Sequence, residues 1–187
     1  MSAATGSARM PGDVFGAECR RLGPRLMRDL DLTEVQAAGL LGNLGHESGG
    51  FRQLQEIAPA VAGSRGGWGL AQWTGPRRLA MEAWCRARAL DPASPEAGYG
   101  YLCAELRTTE AGALVALRKA PTLEAATERV CRLFERPGVF ALASRMGWAR
   151  RALTALRDGP AGPSPESRKP RSRAGRVRRA TNRGDRS

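Results

Sequence analysis

Between Thr33 and Gly50 the sequence specifies one helix with both ends marked, and that helix limits what the rest of the chain can fold into. Thr33, with Gln36 three residues later, has the form of a capping box. Ala37, Leu40, Leu41 and Leu44 then recur at helical spacing. Gly49-Gly50 stops the run, because glycine takes the left-handed backbone that ends helices. An apolar stripe of this kind needs other helices to cover it.

The chain offers them. Val14 to Asp29 reads as an amphipathic helix, with Gly23-Pro24 as the point for a break or kink. Helical patterning returns at Leu79 to Ala89, at Glu96 to Thr108 and at Glu110 to Lys119. A further helix runs from a Thr122 cap through Leu133, and a last one from Phe140 to Arg157. Between Phe51 and Arg78 the period disappears. Five glycines punctuate Gly63 to Gly75, and we expect a loop and a short β-hairpin there. The expected fold class is mostly α (α+β): a helical domain over residues 13–158 with one small β-hairpin.

Charge is concentrated at the end of the chain. From Gly159 to Ser187 there are nine basic residues against two acidic ones, so this stretch carries +7 of the chain's +12. It has no aromatic residue, and its one large aliphatic is Val177. Such a composition cannot offset its ordering entropy by burial, so 159–187 is expected to be a disordered Arg- and Pro-rich tail. Residues 1–12, small and polar, are expected to be a flexible N-terminus. They lack the apolar core of a signal peptide, and no apolar run is long enough to span a membrane. The protein is thus expected to be made in the cytoplasm; if its substrate lies outside, something else must carry or release it. The tail suits polyanions: wall or membrane phosphates outside a cell, nonspecific nucleic acid inside. It has no stacking aromatics and no nucleic-acid motif, so no specific nucleic-acid partner is expected.

The chemistry points to one carboxylate. At about 100° per residue, Glu47 falls on the Leu40–Leu44 stripe, at its C-terminal end. A carboxylate there is costly unless used. Desolvation and the negative end of the helix dipole both favour its protonated form. A carboxylic acid of that kind can protonate the leaving oxygen of a glycosidic bond. Gly45, Gly49 and Gly50 are small residues that leave room for a substrate. Alternatively, Glu47 is a frayed helix end facing water. The second clue is G-G-W-G-L-A-Q-W-T-G-P-R-R, Gly66 to Arg78. Aromatic rings stack on apolar sugar faces, and amides bond hydroxyls. The alternative is a hairpin whose tryptophans fill the core, although a buried Gln72 would then need partners.

Taken together, E-S-G-G-F closing a helix and W-G-L-A-Q-W-T-G-P-R-R following a loop resemble the phage tail lysozyme family. That family belongs to the lysozyme-like group, with goose-type lysozymes and lytic transglycosylases. F-E-R-P-G at Phe134 to Gly138, followed by Arg145 and a closing helix, is similar to a segment near the family's domain end. The resemblance covers about Val14 to Leu156. It implies cleavage of peptidoglycan between N-acetylmuramic acid and N-acetylglucosamine. It carries the catalytic acid onto Glu47 and sugar contacts onto Gln72, Trp73 and Thr74, with Trp68 and Glu56 as further candidates. It implies no metal and no cofactor. Two departures stand out: Leu54 to Ser64 is short and rather apolar for the family, and Glu56 is the only acidic residue between Glu47 and the expected hairpin. Glu56 either positions a water or braces the hairpin.

Other assignments are weaker. His46, the single histidine, lies about 120° round the helix from Leu40. One His without clustered ligands is no zinc site. Cys19, Cys85, Cys103 and Cys131 fit no metal spacing and read as buried free thiols, with disulfides as the alternative. Glu135 reads as a structural partner of Arg145 or a cap for the last helix. Arg77 and Arg78 fit either substrate contact or a solvated helix start. The rivals to a muramidase are a lytic transglycosylase using the same Glu47, a non-catalytic wall-binding or virion module, and a nucleic-acid binder acting through the tail.

Overall fold

The computed structural model describes residues 13–56 and 65–159. The expectations for the N-terminus, for most of the tail and for part of the Leu54–Ser64 loop lie outside these. The described chain is mostly helical: α1 (Val14–Asp29), α2 (Glu34–Glu47), α3 (Gly75–Arg86), α4 (Pro95–Arg107), α5 (Ala111–Arg118), α6 (Leu123–Val130), a π-helical turn (Cys131–Glu135) and α7 (Leu142–Arg157).

Helix α2 is the axis of one half of the bundle. It is buried from Gln36 to Gly45, and α1, α6 and α7 all lie against it. Three glycines make this possible. A Cβ on Gly39 would meet Ala126 and the Thr127 backbone of α6 at 2.7–3.0 Å. One on Gly42 would lie 2.6 Å from the backbone of Ala149 in α7. One on Gly45 would lie 2.4 Å from the Phe15 ring of α1. Three residues turn a helix by about 300°, so successive glycines face successive neighbours. The N-terminus is set as expected: the Thr33 N–H donates to Gln36 Oε1 at 2.9 Å. The Gln36 amide also donates to the carbonyls of Arg118 and Ala120, tying α2 to the end of α5.

Two local expectations are corrected. α1 continues through Pro24 without a break. Pro24 is on the exposed side, where water can meet the carbonyl left without its helical donor. The hairpin shrinks to two isolated antiparallel bridges, Gln55–Trp68 and Trp68–Trp73. Gly66, Gly69 and Gln72 all have left-handed backbones, at φ 72°, 73° and 45°. A left-handed residue at every third position stops a ladder from extending. The four cysteines are buried and unpaired. No helix among the described residues is long and apolar enough to cross a membrane.

Candidate active site

Glu47 is the last residue of α2, and the turn after it is tightly fixed. Gly49, Gly50 and Phe51 are consecutive left-handed residues at φ 57°, 73° and 65°. Ser48, fully buried, locks them: its hydroxyl donates to Leu44 O at 2.7 Å and accepts from Phe51 N at 2.9 Å. The left-handed backbone costs Phe51 about 1 kcal/mol, offset by stacking on Phe15 with centroids 5.4 Å apart. The turn holds Glu47 at the mouth of a cleft with its side chain 26% exposed.

Arg145 fixes the carboxylate. Its Nη2 donates to Glu47 Oε1 at 2.5 Å, while its own side chain is 1% exposed. Its Nη1 donates to Asn43 Oδ1 and its Nε to Phe140 O, each at 3.1 Å. Asn43 in turn donates to Gly39 O and Thr127 O, so it is held by α2 and α6 together. From the sequence, Glu135 reads either as a partner of Arg145 or as a cap for the last helix. The guanidinium instead meets Glu47, because α7 crosses α2 at Gly42 and brings Arg145 beside the end of the stripe. Asn43 was missed, although its i, i+4 spacing to Glu47 places both on one face.

In front of Glu47 lies a polar cleft of about 570 Å³, lined by Gln53, Gln55, Glu56, Gly67, Gln72 and Thr74. Gln72 donates to Gln53 O and Gly69 O at 2.9 and 3.0 Å, so its amide is pinned across the cleft floor. Thr74 is exposed at the start of α3, and its side chain makes no capping bond. Glu56 braces the turn: its Oε2 accepts from Gly67 N at 2.9 Å, and its own N–H donates to Gly67 O. The cleft is thus built of amides, hydroxyl and carboxylate, the groups that bond sugar hydroxyls.

A family model for phage tail lysozymes matches residues 24–156. The chain belongs to this family. No curated protein and no solved structure gives a significant match. The family's lysozyme character makes a cell-wall role the coarse functional class.

Within this phage tail lysozyme chain, the remaining candidates divide by burial. Trp73 is fully buried and does not line the Glu47 cleft. Its indole donates to Glu105 Oε2 at 2.8 Å, and its ring meets Tyr101 edge-on. It supports the cleft from beneath, so the expected sugar contact gives way to a core role. Trp68 lines a neighbouring apolar groove of about 520 Å³ with Phe51, Leu54 and Leu70; Gln55 is shared between groove and cleft. Arg77 pairs with Glu105, and Arg78 donates to the carbonyls of Arg65 and Gly66. Both arginines hold the scaffold. The glycines around the acid also differ from expectation. A Cβ on Gly50 would meet the Trp148 ring at 2.8 Å, so Gly45 and Gly50 serve packing. Gly49 alone of the three has open space, with nothing nearer than Gln53 at 3.7 Å.

His46 Nδ1 lies 3.0 Å from Ser144 Oγ and links α2 to the start of α7. Burial, then the charge of Arg145, lowers its pKa. Among the described residues, no group of three or more His, Cys, Asp or Glu is placed to hold a metal. Glu135 ends the π-helical turn in the F-E-R-P-G segment. Burial, then the charge of Glu47, pushes its carboxyl up to about 8, against the pull of Arg77 and Arg145.

Proposed function

We propose that this chain is a peptidoglycan muramidase that cleaves between N-acetylmuramic acid and N-acetylglucosamine, with Glu47 as general acid. The observation that carries this reading is the position of Glu47. It ends the central helix at the mouth of a polar cleft, with one oxygen held by a buried arginine. The other oxygen is left for the substrate. In the reaction, Glu47 gives its proton to the glycosidic oxygen as the bond from the anomeric carbon breaks. Arg145 then faces a carboxylate it is already positioned to neutralise, so little reorganisation is needed. Gln72 and Thr74 offer hydrogen bonds to sugar hydroxyls, and Glu56 keeps the Gly67 turn that shapes the wall of the cleft.

The test compares wild type with Glu47→Gln for clearing of purified peptidoglycan, after circular dichroism has shown both folded. Loss of clearing by roughly a hundredfold or more is expected for a general acid. Full clearing by the folded variant would refute the assignment. Product mass separates hydrolysis from transglycosylation, since an anhydro end lacks one water.

A further inference from the structure

The apolar groove beside the cleft takes no part in the proposed chemistry, but cleft and groove share a wall. Residues 53–56 form a rib tied to the turn opposite: the Glu56 N–H donates to Gly67 O at 2.9 Å, and the Gly69 N–H donates to Leu54 O at 2.7 Å. The side chains of the rib divide between the two sites. Gln53 and Glu56 line the cleft, Leu54 lines the groove, and Gln55 lines both. The turn divides likewise, with Gly67 and Gln72 on the cleft and Trp68 and Leu70 on the groove. Neighbouring residues of a bridged segment point to opposite sides, so one short rib can wall two sites.

The groove is built in advance of any ligand. Trp68 is bridged through its backbone to Gln55 and Trp73. Its indole N–H donates to Pro92 O at 3.2 Å, and the Arg78 guanidinium lies 5.0 Å from its ring centroid. The groove leaves apolar surface in water, with Val14 42% and Leu54 43% exposed. Its lining also carries both signs of charge. Helix α1 contributes Glu18 and Arg21, paired at 2.6 Å, and α4 contributes Glu96. A preformed apolar pocket of about 520 Å³ with a few charged groups suits a ligand of small apolar parts that bears charge itself. A hydrocarbon chain would leave those charges unmatched.

Peptidoglycan carries such a group on every second sugar: a short alanine-rich peptide with carboxylates and an amine, joined through the lactyl ether of muramic acid. Only the rib separates the groove from the cleft. We propose that the groove is the site for this stem peptide, which crosses the rib at Gln55 and packs its alanine methyls against Leu54 and Trp68. This rests on the reading of the chain as a peptidoglycan muramidase. The enzyme then reads the peptide as well as the sugars, and strands bearing peptides are its better substrates.

Two measurements test this. The first is kcat/KM on soluble glycan strands and on the same strands stripped of peptide by an amidase. Wild type should favour the peptide-bearing strands by about tenfold, mostly through KM, which corresponds to burial of about two methyl groups. Leu54→Asp and Val14→Asp should each bring that ratio toward one. Both side chains are already exposed, and an Asp in the first turn of α1 suits the helix dipole, so both variants should fold. The second is nuclear magnetic resonance of wild type with N-acetylmuramyl tetrapeptide, a single sugar that offers no bond to cleave between sugars. It should shift the Trp68 indole and Leu54 methyl signals, whereas N-acetylmuramic acid alone should leave them in place. Equal kcat/KM on the two kinds of strand would overturn the proposal, as would groove signals that ignore the peptide. Shifts of those signals with protein concentration alone would give the groove to a second copy of the chain and overturn it too. The resonance result needs no turnover, so it reads the groove even if Glu47→Gln were to keep full clearing. A silent groove in an active enzyme would sink the peptide site and leave the reading of Glu47 standing.

Discussion

Arg145 joins the stability of the fold to the geometry of the site, and Arg145→Met separates the two. The substitution removes three hydrogen bonds, to Glu47 Oε1, Asn43 Oδ1 and Phe140 O. The Glu47 bond is charge-assisted, but that carboxylate is 26% exposed and water can replace the arginine, so about 1 kcal/mol is lost there. Asn43 Oδ1 is buried, and losing its donor costs about 1–3 kcal/mol. Phe140 O keeps a weak thiol contact from Cys131 and adds little. The total is about 2–4 kcal/mol, which in a domain of this size lowers Tm by roughly 5–15 °C. Differential scanning calorimetry measures that fall. Clearing of peptidoglycan well below the melting point should drop by roughly tenfold or more, because Glu47 loses the group that orients it. Arg145→Lys should sit between the two, since an ammonium keeps the charge but not the fork. A Tm drop below about 2 °C with full clearing would refute the reasoning. A large drop with normal clearing in the cold would uphold the packing argument and remove Arg145 from the site.

Other outcomes follow from the packing and from Glu135. Gly42→Ala should lower stability by about 1–3 kcal/mol or more, because its Cβ meets the Ala149 backbone and the helices must part. Gly147→Ala, also inside a helix but with nothing within 4 Å of its Cβ, should raise stability by about 0.5–1 kcal/mol; thermal melts of the two check the contrast. The raised proton affinity of Glu135 gives stability an unusual pH dependence. Folding binds its proton more tightly, so this contribution is fully present below the ordinary value of 4.5 and is lost as pH rises to about 8. Tm of wild type should therefore fall relative to Glu135→Gln across that window, and a constant difference would count against a buried protonated Glu135.

Much of the helical framework was legible in the sequence because its causes are local. The Thr33–Gln36 cap, the Leu40–Leu44 spacing and the Gly49-Gly50 stop are properties of neighbouring residues, and α2 spans Glu34–Glu47 within those marks. The same period put Glu47 at the end of the buried stripe. It could say that a face is covered but not by what. The glycines show the difference: read along the chain, Gly45 and Gly50 leave room for substrate, whereas in the fold they make room for Phe15 and Trp148. The tryptophans of Gly66 to Arg78 read equally as sugar platforms or core, and packing against Tyr101 and Glu105 decided for Trp73. Left-handed backbones at Gly66, Gly69 and Gln72 turned a hairpin pattern into isolated bridges. The partnership of Asn43, Glu47 and Arg145 joins residues about a hundred positions apart, and the surroundings of Glu135 bring a π turn together with charges from four helices. Local rules fix periods and ends, but which charge meets which depends on how helices cross. That is set by the close approaches at Gly39, Gly42 and Gly45, and it exists only once the whole bundle has formed.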